Sequence, residues 1–352
     1  MKMAQNKKVS RGCQICQQGK WLCIFLTYRC NGGCHFCPAP FKNDQVHSAF
    51  GNRKENILSF LIPNDFEGIS FSGGDPFTVY DRLLEWFTFF KKNLPSYYYW
   101  VYTNGLAVDR NKLEELAAAG MDEIRFNIAA TGYLSDSIWK KIKIARELFP
   151  YVTIEIPSIK NDYESLARAV RFMEETGIDY LNLHDYIQTG TDPDFNESPT
   201  ACFQLNKTTL IEYAVSSKEN TQKIDELCRQ NNIVHVNNCN MEQKEIQMLQ
   251  RRIMMGNIFN NPEYDSMTAD GIVYNYYKFS TETYPANPKK ILRDPDTRNQ
   301  LNPFLIKKGT INNLPAGKFR IIKAGYIPKM EKGLDKILIE IKEVNNPEKE
   351  LQ

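Results

Sequence analysis

A chain of 352 residues with 42% hydrophobic and 24% charged side chains is ordinary globular material, long enough to bury a large core without disulfide staples. Its 44 basic and 42 acidic side chains nearly cancel to +2, so electrostatics give no footing for binding nucleic acid or an anionic membrane. The longest apolar run, Trp21 to Leu26, is far too short to span a bilayer, and the polar, basic start has no secretory signal. A cytoplasmic location is the expectation.

From residue 21 to about 186, short apolar runs alternate with longer amphipathic stretches. Strands are predicted at Cys23–Tyr28, Gly68–Ser72, Tyr97–Thr103, Glu123–Ile128, Val152–Pro157 and Tyr180–Asp185, each rich in β-branched, aromatic or apolar residues. Helices are predicted between them at Glu55–Ile62, Val79–Asn93, Arg110–Ala119, Asp136–Phe149 and Asp162–Thr176. In the last of these Leu166, Val170 and Met173 recur at helical spacing. Such a series of strand–helix units implies an α/β fold with a parallel sheet and right-handed crossovers, as a partial barrel or a flat doubly wound sheet. In both, functional residues gather at the carboxyl ends of the strands.

The polar stretch Gln188–Pro199 reads as a loop closing the repeating region. Helices are then expected near Asn206–Ser217, Ser217–Gln230 and Met241–Met255, followed by two tail strands, Phe319–Ala324 and Lys336–Val344.

The nine cysteines are unevenly placed: Cys13, Cys16, Cys23, Cys30, Cys34 and Cys37 crowd together, and Cys202, Cys228 and Cys239 are scattered. An odd count in a reducing compartment argues against a disulfide framework and for metal binding. Cys30, Cys34 and Cys37 form C-x3-C-x2-C directly after the first predicted strand. Cysteine thiolates are the usual ligands of iron–sulfur clusters, and three ligands from one loop leave one iron of a four-iron cube open to a small molecule. Gly32 and Gly33 allow the sharp backbone such a loop requires. A zinc knuckle is the competing reading.

This spacing, with Phe36 just before the third cysteine, resembles the signature of the radical S-adenosylmethionine (radical SAM) superfamily. Two further motifs agree: Ser72-Gly73-Gly74-Asp75-Pro76 ends the second predicted strand, and Thr103-Asn104-Gly105 ends the third. The resemblance covers about residues 21–186. It implies a partial (β/α)6 barrel over 21–200, with an N-terminal segment, 1–20, carrying a cysteine pair and a C-terminal α+β extension over 201–352. It implies a [4Fe–4S] cluster on Cys30, Cys34 and Cys37, and SAM bound to the open iron. Carbonyls or the carboxylate around Gly73, Gly74 and Asp75, beside Ser72, are then the acceptors for the SAM ammonium, a charge-assisted contact. Phe36 lies near the adenine, and Asn104 and Asn127 are candidates for the ribose hydroxyls, with turn or buried-amide roles as the alternative. The reaction implied is reductive cleavage of SAM to methionine and a 5′-deoxyadenosyl radical that removes a hydrogen atom from substrate.

The later strands alternate polar residues: Arg125 and Asn127, Thr153 and Glu155, Asn182 and His184. In a barrel these face the lumen. Glu155 is costly to bury unpaired, and Arg125 is its natural partner. The pair is either a substrate or SAM-carboxylate site or a structural bridge between strands. Cys13 and Cys16, together with His235 and Cys239, have the half-site spacings of a Cys3His zinc set. A second cluster drawing on Cys23 or Cys228, or free thiols, are the alternatives. The Cys13–Cys16 pair upstream of the cluster motif also resembles a group related to pyruvate formate-lyase activating enzyme. Cys202, after the polar loop, is either a thiol that returns a hydrogen atom to a substrate radical or a small buried residue.

The expected substrate is a peptide or protein, including a ribosomally made natural-product precursor, modified by backbone excision, epimerisation or crosslinking. The tail hairpin offers an edge for an extended peptide. The tail lacks a cysteine-rich auxiliary-cluster domain, and about twenty residues before the first strand are too few for a fused leader-binding domain. A separate peptide-recognition protein is therefore expected, along with a reductant such as flavodoxin or ferredoxin. A small-molecule radical SAM enzyme or a glycyl-radical activase is the alternative, and a non-enzymatic metal-binding protein ranks last.

Overall fold

The computed structural model describes residues 9–37, 44–48, 51–189, 195, 199–204, 210–280, 282–307, 320–329 and 335–344. The chain divides into two compact units, one running to Gln247 and a second comprising Ala49–Gly51 and Met248–Gln352. The α/β unit thus continues about fifty residues past the polar loop expected to close it.

Within that unit the elements run α1 (Arg11–Gln17), β1 (Trp21–Thr27), β2 (His47–Ser48), α2 (Lys54–Leu61), β3 (Gly68–Gly73), α3 (Tyr80–Asn93), β4 (Tyr98–Thr103), α4 (Arg110–Ala118) and β5 (Glu123–Phe126). They continue through α5 (Asp136–Leu148), β6 (Tyr151–Ser158), α6 (Tyr163–Thr176), β7 (Tyr180–Asp185), β8 (Thr200–Gln204), β9 (Leu210–Ala214), α7 (Ser216–Asn231) and β10 (His235–Cys239) to α8 (Met241–Phe259), which carries the unit boundary. One eight-stranded sheet has the order β10-β7-β6-β5-β4-β3-β1-β2. Every pairing in it is parallel except β1 with the short edge strand β2.

The six expected strands are present within a residue or two of their predicted ends, because each apolar run sits between helices with clear stop signals. Gly177 ends α6 in the left-handed conformation, and its amide closes on Glu174 and Met173. Two differences stand out after β7. The helix expected over Asn206–Ser217 is instead an antiparallel ribbon of β8 and β9 where the chain is described, with residues 205–209 outside the described residues. A seventh parallel strand, β10, then joins β7. Its sequence, His-Val-Asn-Asn-Cys, carries too few β-formers to read as a strand, and pairing to β7 overrides that weak local preference.

The curvature of the sheet follows from α1. Ile15 packs at Gly68 of β3, Gly12 lies against Trp100 of β4 and Arg125 of β5, and the Cys13 sulfur accepts from Asn182 of β7 and Asn237 of β10. Flat, those strands span roughly 24 Å at ~4.8 Å per neighbour, whereas α1 is only about 10 Å long at ~1.5 Å per residue. One short helix reaches all of them because the sheet wraps around it as a partial barrel.

The two faces of this sheet are packed differently. Residues facing the outer helices are sealed: Leu22, Ile24 and Leu26 on β1, Val152, Ile154 and Ile156 on β6, Leu181 and Leu183 on β7. Residues on the opposite face stay partly accessible, among them Cys23 and Phe25, Tyr102, Glu155, His184 and Cys239. The lumen therefore keeps open space beyond α1.

The second unit is built on an antiparallel sheet of β11 (Ser266–Met267), β12 (Val273–Phe279), β13 (Arg320–Lys329) and β14 (Asp335–Val344), with short helices α9 (Pro288–Arg293) and α10 (Pro295–Asn299). Tyr277, Phe279, Leu292, Ile322 and Tyr326 form its core. The aromatic runs Tyr97–Trp100 and Tyr274–Tyr277 are largely structural: Tyr99, Trp100, Tyr276 and Tyr277 are all buried. The tail strands begin one residue apart from their predicted starts and β13 ends five residues later; Phe319 lies outside the described residues.

Candidate active site

The loop after β1 carries Cys30, Cys34 and Cys37, which are exposed to half-buried. The Cys37 amide donates to the Cys34 carbonyl at 3.3 Å, turning the loop back on itself. The sulfurs of Cys30 and Cys34 both lie near Gly32, and Asn104 Nδ2 comes close enough that a Cβ there would press on it. Two N–H donors already point at Cys30 Sγ: the Gly32 amide at 3.3 Å and Asn104 Nδ2 at 3.4 Å. Burial, reinforced by the neighbouring Cys37 and Cys30, raises the Cys34 thiol to about 11. Burial likewise raises Cys30, against the Gly32 and Asn104 donors that lower it. Among the described residues no three His, Cys, Asp or Glu side chains converge on a single metal ion. Ligands of a four-iron cube bind separate irons and need no such point. Three thiols on one loop, with hydrogen bonds directed at sulfur, suit an iron–sulfur cluster.

The end of β3 is pressed onto this loop. Gly74 N donates to Thr27 O at 2.7 Å and Asp75 N to Arg29 O at 2.8 Å. A Cβ on Gly73 would overlap the Thr27 carbonyl oxygen, and one on Gly74 the Arg29 carbonyl oxygen. Gly73 also has φ +120°, so glycine is required there twice over. Asp75 is fully buried, and its carboxylate accepts from Phe77 N, Asn104 N and Thr103 Oγ1 at 2.8–3.2 Å. Burial pushes its pKa up, with those donors opposing. The carboxylate thus locks the ends of β3 and β4 together. Ser72, paired in register with Phe25, is half-buried beside them.

Asn104 is placed against the cluster loop: Nδ2 contacts Cys30 Sγ and Asn31 Oδ1, and Oδ1 accepts from Leu106 N. Asn127 caps the turn after β5, accepting from Ala130 N at 3.2 Å. Phe36 packs with Ile159, Tyr186 and Ala214 at the end of β7. Cys202 is exposed on β8, opposite Glu212.

Deeper in the lumen Arg125 binds two carboxylates, Glu123 at 2.8 Å and Glu155 at 2.7 Å. It also donates to Oγ of Ser10, the N-cap of α1, and lies over the Trp100 and Tyr102 rings. Glu155 further accepts from Asn182 at 3.0 Å and pairs with His184 Nε2 at 2.8 Å. Burial works against its charge, but Arg125 and His184 hold Glu155 well below the usual carboxylate range. Both its oxygens are engaged within the protein. Glu123, held by Arg125, Thr153 and Tyr98, gave no signal in the sequence because it looks like an ordinary strand-edge charge.

The proposed Cys13, Cys16, His235 and Cys239 set does not assemble. His235 begins β10, exposed, and Cys239 ends it, so they are separated by about 13 Å of extended strand. Cys13 is instead held by the Asn182 and Asn237 amides. The histidine opposite Cys239 is His184, its register partner on β7. Helical spacing suits a knuckle, but a strand puts residues four apart at opposite ends. A cleft of about 640 Å³ lined by Arg11, Glu67, Lys91, Tyr98 and Asp122 lies at the amino ends of the strands, away from all these groups.

The model of the radical SAM superfamily matches residues 24–173, the stretch holding the cluster loop and the ends of β3 and β4. Residues 24–173 are a radical SAM superfamily domain. A Methanocaldococcus jannaschii protein provisionally named a glycyl-radical enzyme activating enzyme is 24% identical over 362 aligned positions, covering 95% of this chain and 92% of that one. Among solved structures, Streptococcus suis SuiB bound to precursor peptide SuiA is similar at 16% identity and TM-score 0.48, over 62% of this chain. This chain spans about half of SuiB, 49%. Methylornithine synthase is similar at 14% identity and TM-score 0.45, over 66% of this chain and 68% of that one. Radical SAM enzymes carry a [4Fe–4S] cluster and SAM. No helix among the described residues is long and apolar enough to cross a membrane.

Proposed function

We propose that this radical SAM enzyme removes a hydrogen atom from a peptide or protein substrate. The observation that carries the radical chemistry is the gathering of Cys30, Cys34 and Cys37 on one loop, buttressed by Gly73–Gly74 and by the Asn104 amide. The polypeptide substrate is supported by the relative aligned along nearly the whole chain, whose name describes action on another enzyme.

In this reading the three thiolates hold the cluster, and the carbonyls around Gly73 and Gly74 receive the SAM ammonium while Asp75 fixes their direction. When bound, the cluster and SAM together supply a carbon-centred radical able to break a C–H bond. The chain's own share is to position the substrate bond at the carboxyl ends of the strands and keep water away. Phe36, Ile159 and Tyr186 form the apolar wall next to the loop. Glu155, with both oxygens bound to Arg125, Asn182 and His184, stiffens the lumen beneath.

The test is anaerobic reconstitution with iron and sulfide, then SAM and dithionite, with 5′-deoxyadenosine measured by mass spectrometry. Release of the nucleoside by the wild type and its loss in Cys34→Ala is the expected result; equal release by both sinks the reading. A glycyl-radical doublet in electron paramagnetic resonance, appearing only when a glycyl-radical enzyme is added, identifies a protein substrate. A leader peptide that alone raises nucleoside release identifies a peptide precursor.

A further inference from the structure

Cys239 and His184 are register partners on adjacent parallel strands, so their side chains leave the sheet on the same face, the one that lines the lumen. The same alternation puts Asn237 beside Asn182, and there the contact is explicit at 3.1 Å. His184 Nε2 is fixed on Glu155 at 2.8 Å, and Glu155 is anchored in turn by Arg125 at 2.7 Å. His184 Nδ1 is buried and makes no well-aligned hydrogen bond, while Cys239 stands to His184 both as its principal charge neighbour and as a side-chain hydrogen-bond partner. Both side chains keep some accessibility to the lumen.

We propose that Cys239 is a nucleophilic thiolate site in the barrel lumen, activated by His184 and Glu155, which bonds covalently to a ligand carrying a carbonyl-conjugated carbon–carbon double bond. A nucleophile next to a base that a third group orients is the arrangement needed for covalent chemistry. Burial opposes charge on His184, but Cys239 and Glu155 override it and push the imidazole up to about 9. Burial also opposes charge on Cys239, yet the His184 cation wins and holds this thiol below its ordinary value. By contrast Cys23, on the same lumen face, is pushed up to about 12 by burial, Ser70 only partly offsetting it.

In the reaction the Cys239 sulfur lone pair forms an S–C bond to the alkene carbon β to the carbonyl. The alkene π pair moves to the carbon next to the carbonyl, and that carbon takes the proton held by His184. One S–C and one C–H bond form, one π bond and one N–H bond break, and no oxidant or reductant is consumed. The thiol approaches from the lumen side, where the substrate of the radical reaction is expected, but the addition does not depend on that reaction.

The test is labelling of the full chain with N-ethylmaleimide at pH 7 under anaerobic, reducing-agent-free conditions, with each cysteine peptide followed over time by mass spectrometry. Cys239 is expected to add the reagent at least ~10-fold faster than Cys23, which shares the lumen but not the imidazole. His184→Gln is expected to slow Cys239 by ~10-fold or more and leave Cys23 unchanged, with far-UV circular dichroism reporting the fold. Equal rates at Cys239 and Cys23 in the wild type overturn the proposal, as does an unchanged Cys239 rate in folded His184→Gln. Should that variant not fold, the wild-type comparison and Glu155→Gln decide it in the same way. The reagent needs neither cluster nor SAM, so failure here is distinguishable from failure of the radical reading.

Discussion

The side-chain amide of Asn104 donates to Cys30 Sγ at 3.4 Å, across 74 residues of sequence. Sequence position suggested a ribose contact for Asn104, because it ends a strand; the structure turns its amide onto Cys30, which we propose as a cluster ligand. Hydrogen bonds to sulfur stabilise the more negative, reduced state of an iron–sulfur cluster. Asn104→Ala is therefore expected to lower the midpoint potential by on the order of 40 mV, the one-electron equivalent of about 1 kcal/mol. Redox titration followed by electron paramagnetic resonance checks it, and an unchanged potential removes the contact from the argument.

The two glycine pairs near the cluster differ sharply in what surrounds them. Alanine at Gly74 meets the Arg29 backbone, which cannot retreat without moving the cluster loop, whereas a Cβ on Gly33 finds nothing within 4 Å. Gly74→Ala is expected to cost about 3 kcal/mol or more and to lower the iron bound after reconstitution. Gly33→Ala is expected to stay within ~0.5 kcal/mol of the wild type in denaturant unfolding. Similar losses in both variants contradict the packing described.

Arg125 is 3% exposed and neutralises Glu123, which is fully buried, and Glu155 at 12%. Arg125→Met leaves Glu123 with no cation and Glu155 with His184 alone. The expected cost is about 3–5 kcal/mol, read from urea midpoints, since removing one partner of a buried ion pair strands the other. A change under ~1 kcal/mol shows that water reaches the pair.

The His184 charge also has a pH signature. Burial disfavours that charge, but Cys239 and Glu155 raise its folded-state value to about 9, above the unfolded value near 6.5. The stabilisation is then complete below the unfolded value and is lost as pH rises through the folded one. The stability difference between wild type and His184→Gln is expected to shrink steadily from pH 6.5 to about 9. Melting temperatures for both proteins across this window measure it, and a difference independent of pH rules out a charged His184.

By itself the sequence determined the three-cysteine loop and the six strand–helix units, because both are local. Cys30, Cys34 and Cys37 are close in the chain wherever they sit in space, and runs such as Tyr180–Asp185 announce a strand through their own residues. The Gly73–Gly74 turn was legible for the same reason. Only tertiary structure decided what those units enclose. Cys239 faces His184 rather than joining His235 because β10 adds beside β7 in one register, a non-local pairing its own polar sequence does not specify. The helix α1 closes the lumen through Cys13, Gly12 and Ile15, contacts with residues up to 224 positions away. Asp75 and Glu155, two carboxylates that look available for a ligand in the sequence, are occupied by protein donors once the strands converge. A charged side chain's partner is set by burial, where an unpaired charge is too costly to persist, and burial is a property of the assembled sheet.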